Sequence, residues 1–147
     1  SRILLLLEHK ENRRLLAQWL GMYYEVLIPD AVVGVPLTVA GIRRASRQEL
    51  APDGDSMAHL LDEPFDLCIL DGLALDRHLE WVQARKVVEQ PVFLPVLLFT
   101  CRQEVGIVTR HLWRSVDELI ISPIEKVELQ ARVEILLRSR HLSLQLK

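Results

Sequence analysis

The sequence predicts an α/β domain, a doubly wound five-stranded parallel sheet with helices on both faces. Two observations predict the class. Short, wholly apolar runs recur along the chain, as strands buried on both faces require. Segments with apolar residues at helical spacing alternate with them, and that alternation is the signature of a parallel sheet with crossover helices. A third observation concerns the strand ends, several of which close on a carboxylate or a hydroxyl. An open parallel sheet places its ligand crevice there.

The elements follow in order. Ile3 to Leu7 is a continuous apolar run and reads as the first strand. Residues 11 to 20 put Leu15, Leu16, Trp19 and Leu20 on one helical face, and Gly21 supplies the stop. Tyr24 to Ile28 reads as the second strand. The segment from Pro29 to Pro64 is atypical: it concentrates prolines and glycines and carries a basic cluster, Arg43, Arg44 and Arg47. A helix is expected there from about Ser56 to Leu61, with another short element between Val39 and Leu50. The string FDLCILD, residues 65 to 71, is a buried strand ending in Asp71. A helix is expected from about Arg77 to Glu89, then the strand PVLLFT at residues 95 to 100. Val105, Val108 and Leu112 give the next helix its buried stripe. DELII, residues 117 to 121, is the last strand and stops at Ser122 and Pro123. Leu129, Val133 and Leu136 mark the final helix. Leu142 and Leu146 continue an apolar stripe that the domain does not need.

The chain of 147 residues supports one hydrophobic core and not two. Half of its residues are hydrophobic and 26% are charged, and 18 basic against 20 acidic side chains leave a net charge of −2. That balance argues against a general nucleic-acid surface, which is usually strongly basic. Two cysteines, Cys68 and Cys101, cannot build a disulfide framework. They read as small buried hydrophobes in a reducing, cytoplasmic setting. No apolar run approaches a membrane span. The expected organisation is a domain over residues 1–138, with the atypical segment at about 30–64. Residues 139–147 would begin a helical linker to a following domain or a short coiled coil, in a piece of a longer protein.

Phosphate-loop and dinucleotide-binding glycine motifs are absent, and no Cys/His set has zinc spacing. His59, His78, His111 and His141 are scattered and read as exposed polar residues. The strand ends carry what chemistry there is: Glu8 and His9 after the first, Asp71 after the third, Thr100 and Cys101 after the fourth, Ser122 and Pro123 after the fifth.

The strings ILLLLEHKENRRLL, FDLCILD, PVLLFT and DELIISPIEKVELQARVEILLR, in that order, resemble those of response-regulator receiver domains of the CheY-like type. The resemblance covers the chain apart from its middle segment, and implies a flavodoxin-like sheet. It implies a regulatory, non-enzymatic domain of a two-component system or phosphorelay, one that accepts a phosphoryl group from a histidine kinase. In such a site Mg²⁺ offsets the charge of carboxylate and phosphoryl group. Residue by residue, Asp71 falls on the phospho-acceptor, Thr100 on the switch hydroxyl, and Glu8 on one of two acidic metal positions, with Asp71 as a further metal ligand. Leu7 stands at the other acidic position. Ser122 replaces the lysine, while Pro123 keeps the proline after it, with a cis bond expected between them. Ala74 and Leu75 stand where a Met-Pro pair is usual. Arg102 or His9 could supply a substitute charge.

These departures point first to a pseudo-receiver acting as a protein-interaction module beside a kinase or other output domain. An active phospho-acceptor using Mg²⁺ is the alternative, and a small-ligand sensor a weaker one. The expected pairing surface, for a homodimer or another partner, is the face of the fourth helix, fifth strand and fifth helix. It would include Trp113, Arg114, Asp117, Glu118, Glu128 and Arg132.

Overall fold

A computed structural model describes residues 1–29, 64–101 and 115–146 of the chain. The strands are β1 (Arg2–Leu6), β2 (Glu25–Leu27), β3 (Leu67–Leu70), β4 (Val96–Cys101) and β5 (Glu118–Ser122). All pair in parallel, in the order β2-β1-β3-β4-β5. The described helices are α1 (Lys10–Leu20), α2 (Gly72–Glu89) and α3 (Lys126–Leu146). The basic cluster at Arg43, Arg44 and Arg47, the elements expected within residues 30–63, and Arg102 lie outside the described residues. So do the helix of Val105, Val108 and Leu112, and His59, His111, Trp113 and Arg114.

Alternation along the buried strands builds the core on both sides of the sheet. Ile3, Leu5, Leu7, Leu67, Ile69, Leu97 and Phe99 point to one face. They meet Leu16 and Leu20 of α1 and Leu129, Val133, Leu136 and Leu137 of α3. Leu4, Leu6, Cys68, Leu70, Val96 and Leu98 point to the other, against Ala74, Leu75 and Val82 of α2. α1 closes at Gly21, where an added Cβ would lie 2.7 Å from the Ala17 carbonyl oxygen. Only glycine fits that approach.

Two expectations need correction. α2 begins at Gly72 instead of near residue 77, because Asp71 caps it directly, and the helix kinks at His78 (φ −115°, ψ 21°). His78 is buried and not exposed, its Nε2 without a partner among the described residues. Burial and the neighbouring Arg77 hold its imidazole below the usual histidine range.

The last helix runs unbroken from Lys126 to Leu146, so the change expected at residue 138 falls inside one element. On the expected pairing face, Asp117 accepts from Lys86 Nζ at 2.7 Å and from the Val96 amide at 2.8 Å. Arg132 binds Glu118 and, at 3.2 Å, Glu128.

At the N-terminal edge of the sheet, Asp66 accepts from the Arg2 amide at 2.9 Å and from Arg140 Nε at 3.1 Å. Burial alone would raise its carboxyl, but these two donors outweigh burial and hold it below the ordinary carboxylate value of 3.8. A depressed folded-state value gives stability that is present above the unfolded value and lost as pH falls through the folded one. Urea midpoints are therefore expected to drop as pH falls below 3.8. Asp66→Asn should flatten that acid limb; an unchanged limb would remove Asp66 from the account.

Candidate functional site

Asp71 stands at the C-terminal edge of the sheet and caps α2. Its backbone is extended (φ −104°, ψ 179°), and its Oδ1 accepts from the Ala74 amide at 3.0 Å. This is an N-cap, satisfying one of the amides that the first turn of a helix leaves open. Its Oδ2 accepts from two further amides, Glu8 at 2.8 Å and His9 at 3.0 Å. A carboxylate offers about four lone-pair directions, and three are taken by backbone donors. Asp71 is 8% exposed. It thus ties the end of β1, the end of β3 and the start of α2 into one joint.

The groups around it are already committed. The Glu8 carboxylate pairs with Arg77 Nη1 at 2.9 Å. Arg77 reaches Glu8 from α2, across 69 residues of sequence, so only the fold brings them together. His9 caps α1, its Nδ1 accepting from the Asn12 amide at 3.3 Å, and its ring is therefore a helix cap, not a charge directed at Asp71. Leu7 is fully buried in the core, and its carbonyl accepts from Arg13 Nη1 at 2.8 Å.

Two more residues share this edge. Thr100, 4% exposed, follows Phe99 on β4, and its Oγ1 has no partner among the described residues. Ser122 ends β5 opposite Cys101, and its bond to Pro123 is cis, as expected. Register places Thr100 beside Ile121, so Thr100 and Ser122 lie along the same strand ends as Asp71. None of the hydrogen bonds described for Asp71 reaches either of them.

The expected Mg²⁺ can be tested against these donors. A magnesium ion requires near-octahedral oxygen ligands and usually takes one or two free carboxylates. Here Leu7 is a core side chain, Glu8 is paired with Arg77, and Asp71 already accepts from three backbone amides, which leaves about one lone-pair direction open. No group of three or more His, Cys, Asp or Glu able to hold a metal occurs among the described residues. These residues do not fit a Mg²⁺ site.

Sequence reasoning found Asp71 and Glu8 but missed Arg77. The ion pair joins two helix-entry segments, and no local spacing marks it.

No protein-family model matches the sequence, and neither does any curated protein. Solved structures do match. A CheY-like response-regulator receiver domain protein from Methanospirillum hungatei JF-1 superposes with a TM-score of 0.65 at 17% identity, covering 96% of each chain. A response regulator receiver modulated diguanylate cyclase from Pelobacter carbinolicus gives 0.61 at 17% identity, over 97% of this chain and 96% of that one. The receiver domain of a sensor histidine kinase from Pseudomonas aeruginosa PAO1, with magnesium coordinated in its active-site cleft, gives 0.58 at 16%, over 93% and 97%. A structure described as a redox sensor of the streptococci evolved from two-component response regulators gives 0.66 at 15%. It is matched by all of this chain but over only 55% of its own length. The chain has the receiver fold. Among its described helices none is long and apolar enough to cross a membrane.

Proposed function

We propose that this receiver-fold chain is a regulatory module of two-component signalling that works by protein contact, with Asp71 serving as a structural joint. The single observation that carries this reading is the engagement of the Asp71 carboxylate by three backbone amides, those of Glu8, His9 and Ala74. A nucleophilic carboxylate needs a free lone pair and an approach path for the phosphoryl donor. Three of the lone-pair directions of Asp71 are already taken, and the residue is 8% exposed. Its partner would be a histidine kinase or an attached output domain, met through the face of β5 and α3. On that face Glu118, Glu128 and Arg132 satisfy one another within the chain. The streptococcal neighbour supports the idea that this fold can take up work other than that of a response regulator.

One observation favours the alternative of an active acceptor. The buried Thr100 hydroxyl lacks a partner among the described residues, and an incoming phosphoryl oxygen would give it one.

A single titration separates the two readings. Mg²⁺ with beryllofluoride or a small phosphoryl donor is added while intact mass and the fluorescence of Trp19, Trp81 and Trp113 are followed. No mass gain and no spectral change are expected. A stoichiometric change that disappears in Asp71→Asn would establish the active reading instead.

A further inference from the structure

The end of the domain opposite Asp71 holds a partly buried ionic cluster that the proposed function does not use. Arg140, on the penultimate turn of α3, is 7% exposed. Its Nε binds Asp66 Oδ1 at 3.1 Å, and its Nη1 binds Glu89 Oε1 at 3.2 Å and the Phe93 carbonyl at 3.2 Å. Glu89 in turn binds Arg85 Nε at 3.3 Å, and the Arg85 guanidinium lies 4.4 Å over the Phe65 ring. One helical turn further along α3, Ser143 Oγ accepts from the Phe93 amide at 2.6 Å.

The cluster has an uneven reach. Asp66 precedes β3, Glu89 is the last residue of α2, and Phe93 lies in the loop leading to β4. Arg140 therefore fastens α3 to three separate segments at once. Past this point α3 has little hydrophobic attachment. Leu142, Leu144 and Leu146 are 56%, 41% and 86% exposed, so apolar burial does not hold the last turn in place. Arg140 and Ser143 do. The same contact also reaches the candidate site, because α2 runs from its Asp71 cap at one sheet edge to Glu89 at the other. The helix is interrupted by the kink at His78 on the way.

The geometry points to Arg140 as a latch: it docks the last two turns of α3 onto the far end of the Asp71-capped helix, and its opening frees these turns, whose Leu142, Leu144 and Leu146 are already exposed, to move away from the domain. The two arginines and two carboxylates neutralise each other, so the closed state places no uncompensated charge in the interior. Opening is local, since the core contacts of Leu129, Val133 and Leu136 lie upstream and stay intact. The inference is independent of whether Asp71 is ever phosphorylated.

Hydrogen exchange on the whole chain, read segment by segment, tests it. In the unmodified protein the amides of residues 139–146 should be protected. In Arg140→Met they should exchange about tenfold faster or more, while β1, β3 and the α3 turns holding Leu129 and Val133 keep their protection. Glu89→Gln and Ser143→Ala should give smaller increases in the same segment. These two milder variants carry the test if Arg140→Met does not fold. Unprotected amides at 139–146 in the unmodified protein would overturn the latch. So would unchanged exchange in folded variants, or protection lost evenly across strands and helices.

Discussion

Replacing Asp71 by alanine should destabilise the domain by about 2–4 kcal/mol, and replacing it by asparagine by about 1–2 kcal/mol. The alanine loses the α2 cap, ordinarily worth about 1 kcal/mol, and strands the Glu8 and His9 amides. Hydrogen bonds to a charged group contribute about 1.5–3 kcal/mol each, but the loop at Glu8 and His9 can turn partly to water, which limits the total. Asparagine keeps one acceptor oxygen and can serve one side of the joint, not both. The sign of the change is the informative part. A carboxylate kept for chemistry among other acids is a strain on the fold, and removing it usually leaves stability unchanged or raises it. A carboxylate that joins β1, β3 and α2 does the opposite. Urea unfolding of the two variants decides between these roles. Midpoints equal to or above that of the unmodified chain would remove Asp71 from the frame of the fold and return it to the acceptor role.

The reasons for what the sequence did and did not reveal are physical. Strands β1, β3 and β4 were legible because they are buried on both faces, and burial alone dictates an apolar run. Their parallel arrangement followed from alternation with helices, and the strand ends located Asp71, Glu8, Thr100 and Ser122 on one edge. The polar pairings were not legible. Arg77 meets Glu8 across 69 residues and Arg140 meets Asp66 across 74, and neither distance leaves any periodic trace. Arg140 in particular sits among Arg138, Ser139 and His141, and a polar cluster on a helix reads as a solvated face until a tertiary partner is known. The start of α2 was misread for a related reason. Asp71 ends its strand and caps the next helix at once, so no loop separates the two elements. His78 shows the converse: a polar residue scattered in sequence is held inside by the kink of its own helix.

Leu7 and Ser122, the two positions that depart from the receiver pattern, should differ sharply in how they tolerate substitution. Leu7→Asp, which restores the missing acid, should cost more than about 4 kcal/mol and leave little folded protein. Leu7 is wholly buried in the cluster with Leu16 and Leu137. Truncating such a leucine costs about 2–5 kcal/mol by itself, and an uncompensated carboxylate in the same place adds several more. The total approaches the whole stability of an ordinary domain, about 5–15 kcal/mol. Ser122→Lys, which restores the missing cation, should cost no more than about 1 kcal/mol. Ser122 is only half-buried at the end of β5, and a lysine stem can lie along the surface with its ammonium in water. Soluble yield and urea midpoints of the two variants measure the contrast. A Leu7→Asp protein with the unmodified midpoint would mean that the residue still lines a wet crevice, and the account of the closed site would fail with it. If the contrast holds, position 122 can accept a lysine at little cost to the fold, whereas position 7 cannot accept an acid. The leucine fixes the site's state, because residue 7 now belongs to the core that holds β1 against α1 and α3.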